Sequence, residues 1–318
     1  MKLLLTGDWH LRSTTPAKRR DDFRATQRRK VERVLEIGRE HQAPILQTGD
    51  IFDSEHPGLS TVNEYLELLK TYPHGFYSVP GNHDIYGADL GTLHRTAFQT
   101  LVAGGAVRVL DHKPQYLDLA GDKLAVGHTY MHAERPTVPV QTAARLKILV
   151  THEMVLVDKL WREQEDFTYA GDYMKQHKGW DLVVCGHYHY QFSARVGDRV
   201  IVNPGALVRI KRSKGDMAMD PSVVLFDTET RALQWISLGA APAAEVFEPE
   251  PDGTLPVANP DLDSFVKALQ PAIEEADGAE LRTGTLADVA VSVLGEAGVP
   301  LPVQALVKRY LAEAQEGS

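Results

Sequence analysis

The chain has 318 residues, 43% hydrophobic and 24% charged, which suits one large or two modest soluble domains with a real core. Its single cysteine, Cys185, excludes an internal disulfide, and no apolar run approaches the roughly 20 residues needed to cross a bilayer. A net charge of −9 argues against binding nucleic acid through overall basicity, so any phosphate contact must come from local clusters.

In chain order, the first apolar run is Lys2–Thr6, which leads into Gly7-Asp8-Trp9-His10. It turns polar far too early for a secretory leader, so a cytoplasmic protein is expected. A basic stretch follows, with Lys18, Arg19, Arg20, Arg24, Arg28, Arg29, Lys30 and Arg33, and within it Val31, Val34, Leu35 and Gly38 repeat at helix spacing. The run 44–48 opens onto Gly49-Asp50-Ile51-Phe52-Asp53, and a second helical repeat holds Val62, Tyr65, Leu66 and Leu69. The run 76–79 leads into Pro80-Gly81-Asn82-His83-Asp84, and the run 146–150 into Thr151-His152-Glu153. The run 182–185 leads into Gly186-His187-Tyr188-His189, and the run 200–202 into Asn203-Pro204-Gly205. Short apolar runs bounded by Gly and Pro read as buried strands.

Strands alternating with helices predict an α/β fold with a largely parallel core, whose ligands lie beyond the carboxyl ends of the strands. Residues 196–238 read as strands and turns, a second sheet closing a sandwich. The expected organisation is a catalytic domain over 1–240, a linker over 241–260 and a small helical region over 261–318. The last contains three amphipathic stripes and serves as a cap or a partner-docking module. A second basic cluster, Arg209, Lys211, Arg212 and Lys214, makes Arg19, Arg20, Arg209, Lys211 and Arg212 the candidates for nucleic-acid phosphate.

The strand ends deliver Asp8, His10, Asp50, Asn82, His83, His152, His187 and His189 to one edge. Carboxylates, imidazoles and one amide suit borderline divalent metals such as Mn, Fe, Zn, Ni or Co, not an all-oxygen calcium cage. So many convergent donors exceed the four to six that one ion takes, which points to two metals sharing a carboxylate. Two such cations lower the pKa of a water between them and spread the charge developing at phosphorus, while a proton donor assists a poor alkoxide leaving group.

The ordered series Asp8-x-His10, Gly49-Asp50, Gly81-Asn82-His83-Asp84, His152 and Gly186-His187-x-His189 resembles the calcineurin-like metallophosphoesterase superfamily over roughly residues 1–210. The resemblance implies a metallophosphoesterase β-sandwich flanked by helices in α-β-β-α layers. It implies that Asp8, His10 and His189 hold one metal, that Asn82, His152 and His187 hold the other, and that Asp50 bridges them. His83 is then the catalytic acid, with Asp84 setting its orientation and charge. The variants Asp8-Trp9-His10-Leu11, Gly49-Asp50-Ile51-Phe52-Asp53, Gly186-His187-Tyr188-His189-Tyr190-Gln191 and Asn203-Pro204-Gly205-Ala206 resemble the DNA-repair exonuclease branch. What this implies is a Mn-dependent DNA exo- and endonuclease, the nuclease subunit of an SbcCD-type complex with an SbcC-type coiled-coil ATPase, and a homodimer. A small-molecule phosphodiesterase acting on cyclic nucleotides uses the same constellation and is the alternative.

Overall fold

The structure is a computed structural model that describes residues 1–110, 115–119, 122–130, 144–160 and 164–248, with 115–119 and 122–130 as backbone only. The chain divides between Glu248 and Pro249, so the expected C-terminal helices and most of the expected linker lie outside the described residues.

Two six-stranded sheets carry the described part. In the first, Lys2–Thr6 (β1), Ile45–Gln47 (β2), Phe76–Ser78 (β3) and Arg108–Val109 (β4) run parallel. Ser222–Asp227 (β13) and Leu233–Ser237 (β14) extend this sheet antiparallel on the β1 side. In the second, Asp122–Tyr130 (β6), Leu146–His152 (β7), Leu182–Cys185 (β10) and Arg199–Asn203 (β12) run parallel. Gln115–Leu119 (β5) and Phe192–Val196 (β11) close its edges antiparallel. A short parallel pair, Val155–Leu156 (β8) and Thr168–Tyr169 (β9), follows β7.

The second sheet is therefore not built from residues 196–238 alone. β11 and β12 join β7 and β10, whereas β13 and β14 cross to pair with β1. The reason is hydrophobic periodicity of two: Val224 and Phe226 point into the space between the sheets beside Leu3 and Leu5, and Val223 and Leu225 point to the opposite face beside Leu4. Such strands are buried on both faces and fit only inside a sheet covered on both sides.

The same alternation sets the four layers. Leu4 and Ile45 face the helices Phe23–Glu40 (α1), Leu59–Lys70 (α2) and Ala97–Ala103 (α3), where they pack with Val31, Val34, Tyr65 and Phe98. Leu5, Leu46, Leu182, Val184 and Val202 fill the gap between the sheets. Val183, Cys185 and Ile201 face outward against Tyr173 and Met174 of the helix Ala170–Gln176 (α4). The result is the layered α-β-β-α arrangement expected of the chain. Two minor helices, Lys214–Ala218 (α5) and Ala243–Val246 (α6), complete the described part. No helix among the described residues is long and apolar enough to cross a membrane.

The predicted helical repeats form: α1 buries Val31, Val34, Leu35 and Gly38 and is capped by the Asp22 carboxylate, which accepts from the Ala25 amide at 3.0 Å. Leu46, fully buried between the sheets, has no path to relax when shortened. Leu46→Ala is expected to lower unfolding stability by about 2–5 kcal/mol in a urea titration.

Candidate metal centre

The first block begins where β1 ends. Asp8 and His10 both adopt left-handed backbone, with φ of 45° each, as do Asp50 at 54° and His187 at 72°. A non-glycine residue held there costs about 1–3 kcal/mol, and it persists only when surrounding contacts over-determine it. Those contacts are visible. The Trp9 and His10 amides both donate to the Asp50 carbonyl at 2.9 and 3.0 Å, and the Leu11 amide donates to the Ile51 carbonyl at 2.9 Å. Gln27, fully buried on α1, donates through its side-chain amide to the His10 carbonyl at 2.7 Å.

The loops meet because glycines let them. A Cβ on Gly81 would sit 2.1 Å from Asp50 Oδ1, and one on Gly186 would sit 2.4 Å from Thr48 Oγ1. The second contact brings together the two sheets, since Thr48 follows β2 and Gly186 follows β10.

Three groups of donors result: Asp8, His10 and His189; Asp50, His152 and His187; and His10, Asp50 and His83, with ligand atoms within 4.8 Å of one another in each. The structure thus brings together all the expected metal-site residues, Asn82 included, since Asn82 Oδ1 lies 3.0 Å from His152 Nε2. Asp50 Oδ1 accepts from the His83 amide at 2.8 Å. Asp50 Oδ2 lies 3.6 Å from His10 Nε2 and 3.2 Å from His152 Nε2, between the first two groups.

The donor chemistry fits cations. His152 Nδ1 lies 2.7 Å from the Thr48 carbonyl, which can only accept, so that nitrogen carries the proton. The neutral ring then turns the lone pair of Nε2 toward Asp50 Oδ2 and Asn82 Oδ1, three acceptors facing one another. Asp8 Oδ1 accepts from the His187 amide at 3.0 Å, while Asp8 Oδ2 is buried with no hydrogen-bond partner among the described residues. A buried carboxylate oxygen such as Asp8 Oδ2 is what a coordinated ion satisfies.

Protons stand in when metal is absent. Burial opposes charge on His152, but the carboxylates of Asp50 and Asp8 outweigh it and raise the ring to about 9. Burial raises Asp8 to about 6 against the pull of His152. Burial also disfavours ionised Asp50, yet the His152 charge prevails and holds it below the usual carboxylate range. Burial, then His152, lowers His187 to about 4, and burial, then His10, lowers His189 to about 3. Both rings are therefore neutral ligands at physiological pH.

Two roles differ from expectation. Asp84 does not orient His83: its carboxylate accepts from the amides of Gly81 at 2.9 Å, Phe52 at 3.2 Å and Ile51 at 3.3 Å, tying two ligand loops together. Burial first, then Asp50, raises Asp84 to about 7. His83 is oriented by the Asp53 carbonyl, 2.7 Å from Nδ1. Sequence reasoning missed Asp53, Gln27, Thr48 and Asn203 as supports. Asp53 was legible as the second acid of the Gly49–Asp53 block, and Gln27 as a polar residue four before Val31 on an apolar helix face. Thr48 acts through its carbonyl and leaves no side-chain signal.

Two of the basic candidates lie together, the Arg19 guanidinium donating to the Arg209 carbonyl. Arg19 is buried and pairs with Asp21 at 2.6 Å, and Arg209 is buried with hydrogen bonds to the Met217 and Ala241 carbonyls. Arg212 donates to the Glu248 carbonyl at 2.8 Å, while Arg20 and Lys211 are exposed. None of these five belongs to a metal-ligand group.

Residues 1–231 match the family model described as the calcineurin-like phosphoesterase superfamily domain. Similar solved structures include TT1561 of Thermus thermophilus, at 15% identity and a TM-score of 0.45 over 75% of this chain and 99% of that one. A novel archaeal phosphodiesterase matches at 15% identity and a TM-score of 0.39, over 74% of this chain and 99% of that one. A Staphylococcus aureus protein described as a 5'-nucleotidase, in complex with alpha-ketoglutarate, matches at 16% identity and a TM-score of 0.45, over 74% and 52%. No curated protein sequence matches the chain.

Metal must displace the His152 proton, so affinity is expected to rise with pH up to about 9. The gain is up to about tenfold per pH unit for each proton released, and it steepens below about 6, where Asp8 also carries a proton. Calorimetric titration with Mn in buffers of different ionisation enthalpy measures both affinity and proton release.

Proposed function

The chain belongs to the calcineurin-like phosphoesterase superfamily of metal-dependent hydrolases, and from that premise we propose that it is a two-metal DNA nuclease with exo- and endonuclease activity. In this reading Asp8, His10 and His189 hold one divalent ion and Asn82, His152 and His187 the other. Asp50 is shared, and manganese is the favoured metal. Bound there, the ions would polarise the phosphoryl oxygens and lower the pKa of a water beside them.

The observation that carries the diester reading is His83. It stands at the exposed rim of the cluster, its ring 4.8 Å from that of His10, and the Asp53 carbonyl commits Nδ1–H. Only Nε2 is left to exchange a proton with substrate. A sugar alkoxide is a poor leaving group, and a proton delivered from Nε2 to the departing oxygen is what a diester requires. Asp84 contributes by holding the Asp50 and Asn82 loops in register, and Asp50 Oδ1 by fixing the His83 amide. The Asp8-Trp9-His10-Leu11, Gly49–Asp53 and Gly186–Gln191 blocks support DNA as the substrate. They also support an SbcC-type coiled-coil ATPase as partner, docked through the C-terminal region, and a homodimer.

One observation favours a second reading, a phosphodiesterase for cyclic nucleotides. Two arginines of the basic stretch on α1 are already paired: Arg28 with Glu32 and Glu64 at 2.9 Å, and Arg33 with Glu40 at 3.0 Å.

Hydrolysis of single- and double-stranded DNA, bis-p-nitrophenyl phosphate and 2',3'-cyclic nucleotides with Mn separates the two. His83→Ala is expected to retain both metals and lose about 10²–10⁴-fold in turnover on DNA. Asp50→Ala is expected to lose metal itself, read by elemental analysis. Robust turnover of cyclic nucleotides with inert DNA would overturn the nuclease in favour of the second reading.

A further inference from the structure

We propose a second anion site, distinct from the metal centre and independent of the nuclease reading: a pocket under α1 that takes one oxygen of a phosphate group. Its polar lining is Lys30, Arg29, Thr26, Arg19 and Arg209 together with the Asp21 carboxylate, which already accepts from Thr26 Oγ1 at 2.8 Å. None of the candidate metal-site residues lines this pocket.

Lys30 carries the case. It is only 4% exposed, and Nζ has no hydrogen-bond partner among the described residues. A buried ammonium without a partner costs several kcal/mol, so such groups are paired, neutralised or matched by a bound anion. No described residue hydrogen-bonds Nζ, and three of the four charges acting on Lys30, those of Arg209, Arg29 and Arg19, oppose its own, while Asp220 favours it. Arg209 is buried and, among the described residues, donates to the Met217 and Ala241 carbonyls, with Asp21, Asp220 and Asp216 as its nearby counter-charges. Arg29 adds a third cation at the exposed rim, its guanidinium 3.4 Å from Thr26 Oγ1.

The nearby acids are engaged elsewhere. Asp21 pairs with Arg19 through both oxygens, at 2.8 and 2.6 Å. Asp216 accepts from Tyr190 at 2.7 Å and from the Ile210 and Lys211 amides, and Asp220 accepts from Ser237 at 2.9 Å. Burial first, and then Arg209, lowers Lys30 to about 8, against a smaller favourable pull from Asp220.

Size selects the ligand. The cavity holds about 20 Å³, and roughly 10–15 Å³ accommodates one water-sized atom, so a single oxygen enters. All the empty space of the pocket, open solvent included, comes to about 290 Å³, and Arg29 lines it beside Lys30, so the rest of a tetrahedral phosphate would stand toward solvent. The two basic clusters of the sequence meet here, as Lys30 and Arg29 come from the first and Arg209 from the second. Free phosphate and a nucleic-acid backbone phosphate present the same oxygens to these donors.

The test is thermal unfolding of the full chain with inorganic phosphate titrated at constant ionic strength against chloride, with chelator present so that the metal centre takes no part. The expected result is a saturable rise in Tm in the wild type, with at least tenfold weaker apparent affinity in Lys30→Met and in Arg29→Ala. Arg29 is exposed, so that variant remains informative if Lys30→Met fails to fold. A phosphate response unchanged in Arg29→Ala or Lys30→Met, or chloride matching phosphate in the wild type, would overturn the proposal. A short oligonucleotide under the same conditions identifies the source: phosphate-competable binding weakened in Arg29→Ala marks the backbone, and binding unaffected by that substitution marks free phosphate.

Discussion

The structure is organised around two carboxylates, Asp8 and Asp50, buried within one cluster of imidazoles. Placed there without compensation, each would cost several kcal/mol in lost hydration. Compensation comes in three forms: backbone amides from His83 and His187, positive charge on His152 in the metal-free protein, and the cations that the open acceptors call for. Much else follows from delivering those groups to one point. Four ligand residues accept left-handed backbone, glycines give way where loops touch, and Asp84 commits its whole carboxylate to three amides. The local strain is tolerable because it rests on rigid strand ends, not on free loops.

The sandwich supplies that rigidity. Parallel strands end their chains at the same edge, so β1, β2 and β3 present three blocks from one sheet, and β7, β10 and β12 present the others from the second. A single sheet would spread six loops over some 25 Å at about 4.8 Å per strand. Dividing them between two sheets packed about 10 Å apart brings His152 and His187 face to face with Asp50. The Thr48 carbonyl bonding to His152 Nδ1, 104 residues away, is where that closure becomes a hydrogen bond.

What the sequence made legible follows the same logic. Each ligand follows a short apolar run and a tight turn, and both signals are local, so the strands and the donor set could be read directly. The partition of strands between sheets could not, because Val224 and Val202 look alike until their neighbours are known. Nor could the fate of the arginines. Arg19 and Arg28 sit in one charged run, yet Arg19 turns inward onto Asp21 and Arg28 outward onto Glu64, a partner far along the chain. The expected link from Asp84 to His83 failed for a comparable reason. Adjacent residues on a tight 3-10 turn point apart, which leaves Asp84 to the buried amides and His83 to the rim.

That separation bears on how the site divides its chemistry. Within the cluster Asp8, His10, Asp50 and His152 are buried and His187 and His189 half-buried. The affinities of the rings for protons are displaced in opposite directions: against burial, the carboxylates move His152 upward, while burial first moves His187 and His189 downward. His83 belongs to the same cluster, grouped with His10 and Asp50, but it stands at the exposed rim and the Asp53 carbonyl orients its Nδ1. Neighbouring residues of one cluster thus stand in different surroundings, buried carboxylates beside an exposed imidazole, and under the reading proposed above selectivity among substrates would reside in the surfaces around the cluster.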